Sequence, residues 1–131
     1  MKNQDQFRVA LSGAFQNNDG TPVFPMFDLS PLANAPDIES AYVNGVGGRM
    51  TAESLKDFDA LILLLEKFDA DSIPLNGRLT LVTRFGVGYD TVDVEACTAA
   101  GIGVSITPDG VRRPVAASIL TFILALSGKL M

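Results

Sequence analysis

Arg84-Phe85-Gly86-Val87-Gly88-Tyr89-Asp90-Thr91-Val92-Asp93 decides how this chain is read. Leu79-Thr80-Leu81-Val82-Thr83 before it is a short apolar and β-branched run, the composition of a strand buried on both faces. Gly86 and Gly88 open backbone angles that a Cβ makes costly. Asp90 or Asp93 then caps a helix predicted over 91–100, closed by Gly101 as the residue after its C-cap. Strand, glycine turn and helix together leave bare N–H groups at the carboxyl end of a parallel strand, where open α/β sheets take their ligands and where an anion fits. A tight turn that binds nothing has the same spacing, and the spacing alone favours that plainer reading. The turn also lacks the third glycine of the dinucleotide fingerprint.

Working outward, Phe7–Ser12 is a first strand and Glu39–Val43 a weaker second one. Asp59-Ala60-Leu61-Ile62-Leu63-Leu64-Leu65 is the clearest buried strand, and 103–107 is the fifth, stopped by Pro108-Asp109-Gly110. Between them, 13–25 is a loop, a helical turn is expected around Ser30–Ala33, and a short helix over Thr51–Leu55 has Met50 or Thr51 as its cap. A further turn is expected near Ser72-Ile73. Strands alternating with helical pieces predict an α/β fold: a flavodoxin-like, doubly wound, five-stranded parallel sheet in the order 2-1-3-4-5. Its ligand cleft is expected between the ends of strands 1, 3 and 4.

The chain has 131 residues, 47% of them hydrophobic and 19% charged, which is the balance of one ordered domain. A net charge of −5, with no basic cluster larger than Arg112-Arg113, argues against nucleic acid as a partner. With no histidine, Ser-His-Asp and Cys-His catalysis have no base in this sequence, and a metal site would rest on one thiolate and carboxylates. Cys97 falls inside a predicted helix and reads as a small buried residue; a single cysteine fits a reducing, cytoplasmic setting. The N-terminal residues Met1–Gln6 are polar and unlike a signal peptide, and the most apolar stretch, Val115–Leu126, is short for a membrane span.

That apolar stretch belongs to a helix predicted to start at Pro114. Val115, Ile119, Phe122 and Leu126 form one stripe, and Leu120, Ile123, Leu124 and Leu130 carry apolar surface round much of the rest. Such a helix requires burial on nearly all sides, either by another chain or by further sequence.

Arg84 to Asp93, Ala99-Ala100-Gly101-Ile102, Thr107-Pro108 and Val115-Ala116 with the apolar helix closely resemble the D-isomer-specific 2-hydroxyacid dehydrogenases. The resemblance is specific over 59–130. It implies that residues 1–110 are the N-terminal part of a flavodoxin-like substrate-binding domain. Residues 111–131 would then be the helix crossing into an NAD-binding domain that this chain lacks. It further implies reversible hydride transfer between a small 2-hydroxy acid and its 2-oxo acid with NAD or NADP. The substrate carboxylate would lie on the backbone amides of the turn Gly86-Val87-Gly88, and the loop Leu64-Leu65-Glu66-Lys67 would shape specificity. Leu64-Leu65 stands where family members often carry a polar pair, Val111 where some carry Asn, and Ala117 where many carry Glu. The family's cofactor loop, substrate-orienting Arg and Glu–His pair have no counterpart in the chain. No catalytic residue and no bound cofactor are therefore expected of it.

Three further features have plainer readings. Arg112 and Arg113, weak candidates for a cofactor phosphate, read better as a solvated pair ahead of a helix. Lys67 either faces a carboxylate across the cleft or pairs loosely with Glu66 or Asp69. Glu66, Asp69 and Asp71 read as solvated charge. A stand-alone flavodoxin-like binding module competes with the dehydrogenase reading, whereas a homodimer or larger oligomer assembled through 114–131 is compatible with it.

Overall fold

Residues 6–129 are described by a computed structural model of the chain. The polar run to Asp5, and Leu130 of the apolar stretch, lie outside them. Five parallel strands, β1 (Phe7–Ser12), β2 (Ile38–Val43), β3 (Ala60–Leu63), β4 (Leu81–Arg84) and β5 (Gly103–Ile106), form one sheet in the order β2-β1-β3-β4-β5. This is the predicted order. Sequence direction reverses between β1 and β3, which register Val9 against Ala60 and Leu11 against Ile62. That step is the topological switch point of a doubly wound sheet.

Alternation along the strands sorts side chains to two faces. Val9, Leu11 and Ala60 pack on one side with Leu29 and Leu32 from the α1 region (α1, Ser30–Ala33). Ala10, Leu61, Leu63 and Val82 pack on the other, under α2 (Ala52–Leu55) and α3 (Val94–Ala99), with Phe68, Val92, Cys97 and Ile102. The second cluster is the larger, and Phe68, Leu61 and Val82 in it are fully buried. Each such side chain contributes about 1.5–3 kcal/mol relative to an exposed one, so this face holds most of the core stability.

The short helices are set by their caps. Thr51 accepts from the Ser54 N–H at 3.2 Å, which settles the choice between Met50 and Thr51. Asp93 accepts from the Ala96 N–H at 2.9 Å, and α3 therefore starts three residues later than predicted. Strand β3 ends at Leu63, two residues before the apolar run does, because β1 and β4 offer ladder partners no further. The turn near Ser72 is a single 3-10 turn, Ala70–Ser72, capped by Asp69.

The C-terminal helix differs most from expectation. α4 runs over Pro108–Ser127, so Pro108-Asp109-Gly110 is its first turn and not a stop, and Pro114 lies inside it. Pro108 suits a first turn as well as Pro114 does, since neither N–H is needed there. Pro114 further along removes one backbone donor from the ladder. Past its first turns α4 is exposed: Val115, Ile119, Phe122 and Leu126 are each more than half exposed. Its 20 residues meet the length and hydropathy of a membrane span. Asp109, Arg112 and Arg113 confine the uncharged stretch to 114–127, short of the about 20 residues a bilayer core requires.

Candidate functional site

The glycine turn leaves β4 under close control. Gly86 is buried with φ +141, a backbone angle that a side chain rarely adopts. A Cβ there would also stand 1.6 Å from Arg84 Nη1. Thr107, just past β5, holds the turn from the neighbouring strand: its Oγ1 accepts from the Gly86 N–H at 2.7 Å, and its own N–H donates to the Gly86 carbonyl at 2.8 Å. Arg84 folds back so that Nη1 donates to the Phe85 carbonyl at 2.5 Å, and its Nε is buried with no acceptor among the described residues. The guanidinium thus lies beneath the turn without a carboxylate partner among the described residues, adding positive charge where an anion would sit.

Beyond Gly86 the chain is open. Val87 and Tyr89 are about half exposed, and Gly88 is exposed. Among the described residues, the Val87 and Gly88 N–H groups donate to no acceptor. Gly88 needs no glycine for its own fold: its φ is ordinary, and an added Cβ would meet nothing nearer than Asp90 Oδ2 at 3.7 Å. Two adjacent amides with no acceptor among the described residues can hold a carboxylate.

Val87 also borders a hollow of about 290 Å³ with Pro108, Val111, Arg112, Val115 and Ile119 of α4. The fold therefore brings Val87, Val111 and Arg112 together. Arg112 pairs with Asp109 one turn earlier at 3.4 Å, so both arginines sit inside α4 and not ahead of it. Of the β3 loop, Leu64 turns inward at 6% exposure while Leu65 points out at 67%. Leu65 thus offers its side chain to solvent, while Leu64 supports the loop from within.

The acidic run after β3 also departs from the sequence reading. Glu66 is not solvated: it is 9% exposed and accepts from the Ser12 hydroxyl at 2.5 Å and the Leu65 N–H at 3.2 Å. Lys67 reaches Asp69 at 3.1 Å, as does Arg49, which also binds Asp71. Burial pushes the Asp69 carboxyl up, but the Lys67 hydrogen bond and the Arg49 and Lys67 charges outweigh it and hold the group below its usual value. Asp71 alone of the three stays mostly in solvent, its side chain 82% exposed although paired with Arg49.

Sequence reading passed over an aromatic cluster on the same edge. Phe15 stacks on Phe27 at 4.9 Å between centroids and meets Phe85 edge-on at 5.2 Å, with Phe24 at 5.7 Å from Phe85. These rings pin the long 13–29 loop against the end of β4. Phe24, Phe27 and Phe85, with Met26, Gly110 and Pro114, border a second hollow of about 570 Å³. The signal was available in three phenylalanines within one loop, but their convergence on Phe85 is a tertiary fact.

A dinucleotide does not fit this turn. The helix start that would cradle its pyrophosphate is occupied by the Asp93 carboxylate on the Ala96 N–H, and α3 is only 6 residues long.

Comparison with known proteins agrees with the architecture. The chain is 39% identical over 79 residues to a glyoxylate reductase of Thermococcus gammatolerans, covering 60% of this chain and 24% of that protein. It is likewise 39% identical over 74 residues to one of Pyrococcus furiosus, covering 56% and 22%. The match thus spans about a quarter of the length of these curated relatives. Among solved structures, NAD+-bound 3-phosphoglycerate dehydrogenase of Entamoeba histolytica superposes with a TM-score of 0.68 at 21% identity, covering 92% of this chain and 39% of that one. A glyoxylate reductase of Paecilomyes thermophila gives 0.60 at 22%, covering 91% and 38%. At those identities the two structures show a shared fold. The family model for the D-isomer specific 2-hydroxyacid dehydrogenase catalytic domain matches residues 29–118. By that match, and on the motif from Arg84 to Asp93 that first suggested it, the chain belongs to the D-isomer specific 2-hydroxyacid dehydrogenase family.

Proposed function

We propose that this chain is the substrate-side part of an NAD(P)-dependent oxidoreductase that interconverts a small 2-hydroxy acid and its 2-oxo acid. One observation carries the reading: the Val87 and Gly88 amides, at the carboxyl end of β4, donate to no acceptor among the described residues. A 2-oxo acid carboxylate accepts from both, over the positive charge of Arg84. Gly86 and Thr107 hold the turn rigid, and Leu65 borders the remainder of the substrate. Glyoxylate is the natural first ligand, given the names of the relatives.

The chain's own residues bind and orient the substrate, and in this reading the chain alone does not turn it over. In this reading residues 1–110 form the substrate-binding part and 111–131 the connecting helix. NAD or NADP is held elsewhere in the complete enzyme, with Arg112 and Arg113 at most near its phosphate. A cytoplasmic location accords with the single buried Cys97.

Titrating the ¹⁵N-labelled chain with glyoxylate tests the binding claim. Saturable shifts at Val87 and Gly88 support it, and their absence refutes it. Oxidation of NADH by the chain with glyoxylate would refute the claim that it is inactive alone.

A second reading accompanies the first because α4 leaves Ile119, Leu120, Phe122, Ile123 and Leu124 exposed. Apolar surface of that extent drives association, and we propose that the chain forms a homodimer or larger species through 114–131. Light scattering at micromolar concentration checks it; a monodisperse monomer contradicts it.

A further inference from the structure

The loops after β1, β2 and β3 enclose a cleft of about 590 Å³ at the switch point of the sheet. Its walls carry the amides of Gln16, Asn17, Asn18 and Asn44, and Glu66 lies among them. The walls are packed into place. Asn44 lies over Gly13, where a Cβ would come within 1.9 Å of its Oδ1. At Gly45 a Cβ would meet the Arg49 carbonyl oxygen at 2.6 Å and Glu66 Cγ at 3.2 Å.

Glu66 is half engaged. Both of its hydrogen bonds, from Ser12 Oγ and the Leu65 N–H, go to Oε2. Among the described residues Oε1 accepts none, yet it is not sealed in, because Arg84 Nε is the one buried side-chain polar atom left without a partner. Oε1 therefore opens into the cleft. The two cations of the flanking loops are engaged elsewhere: Arg49 binds Asp69 and Asp71, and Lys67 binds Asp69. A carboxylate that is nine-tenths buried, without a counter-cation and walled by neutral amides, disfavours an anion. An apolar occupant would strip water from Oε1 and leave it unpaired. A primary ammonium satisfies it, offering one N–H to Oε1 and the others to amide carbonyls, with its charge compensated.

We propose that this cleft binds the ammonium group of a small organic cation. That group is either the tail of a 2-hydroxy acid whose carboxylate lies on the Val87-Gly88 turn or a free amine. The ammonium preference stands on the cleft's own residues, and only its assignment to a substrate tail rests on the reading of the turn.

The test is an amide-shift titration of the ¹⁵N-labelled chain with butylammonium, 1-butanol, D-2-hydroxyhexanoate and D-6-amino-2-hydroxyhexanoate. Butylammonium is expected to give saturable shifts at Gly45, Gly48 and Leu65, with butanol at least about tenfold weaker, as befits a charge-assisted contact. Glu66→Gln should remove that difference, while the butanol comparison needs no variant and holds even if Glu66→Gln misfolds. A substrate tail is indicated if the amino-hydroxy acid binds about tenfold tighter than either half and also shifts Gly88. A free amine is indicated if it gains nothing over butylammonium. Absence of saturable shifts with both ammonium probes, or equal binding of butanol, overturns the proposal. If D-2-hydroxyhexanoate leaves Val87 and Gly88 unmoved, the carboxylate reading fails and the cleft result stands.

Discussion

Thr107 and Gly86 are reciprocally bonded across β5 and β4: Thr107 Oγ1 accepts the Gly86 N–H at 2.7 Å, while the Thr107 N–H donates to the Gly86 carbonyl at 2.8 Å. The side-chain half of the pair is the removable half. Thr107→Val keeps the shape and leaves the buried Gly86 N–H without an acceptor, at a cost of about 1–2 kcal/mol. Urea unfolding should show that loss for Thr107→Val and little for Thr107→Ser. Equal stability of all three proteins would mean that the hydroxyl does not hold the turn.

Gly86 and Gly88 should respond differently to alanine. Gly86→Ala puts a Cβ at φ +141 and against Arg84, so it should lower the unfolding temperature. Gly88→Ala meets nothing closer than 3.7 Å and has no backbone strain, so thermal unfolding should be nearly unchanged. Its methyl group instead occupies the space over the Val87 and Gly88 amides, and glyoxylate shifts should disappear. Unimpaired glyoxylate binding by Gly88→Ala would remove the turn from the site.

Asp59 makes folding sensitive to acid. Burial pushes its carboxyl up, but the hydrogen bonds from Arg78 (3.1 and 3.0 Å) and from the Arg8 N–H (2.7 Å), with both guanidinium charges, outweigh that and hold it below 3.8. A group with a depressed folded pKa contributes stability that is fully present above its unfolded value. That contribution is lost as pH falls through the folded value. Asp59→Asn should therefore cost about 2 kcal/mol at neutral pH, and the gap from the parent chain should close below about pH 4. Chemical unfolding at pH 7 and pH 3 measures both; a gap that is constant with pH would mean that the charge contributes nothing.

Cys97 should be inert in the folded chain. Burial, then the Asp93 charge, push its thiol up, which leaves little thiolate at neutral pH, and its side chain is fully buried. Reaction with a disulfide reagent should be slow in buffer and rapid in denaturant. Fast modification of folded protein would show that α3 opens readily.

Much of the sheet was legible because its information is local. Leu61, Leu63 and Val82 announce buried strands by composition, and Asp93 and Thr51 announce helix starts by cap chemistry, since both depend on residues a few positions apart. The start of α4 was not legible. Pro108 and Pro114 carry the same local signal, and Pro108 to Val115 borders a hollow with Val87, more than twenty positions earlier.

By itself the sequence determined the strand content, the glycine turn with its open amides, the absence of an imidazole base and the membership in this family. The first three follow from composition or from spacing within about ten residues, and the family from a resemblance that runs from Arg84 to Ala116. Only the tertiary structure decided which charges are solvated and which side chains face the ligand edge. Glu66 is buried because Ser12, 54 positions away, arrives beside it at the end of the neighbouring strand. Leu64 and Leu65 are equivalent in composition, but one packs inward and the other does not. Burial of a charge, and the facing of an apolar residue at a strand end, depend on what the rest of the chain brings there, and no local pattern encodes that.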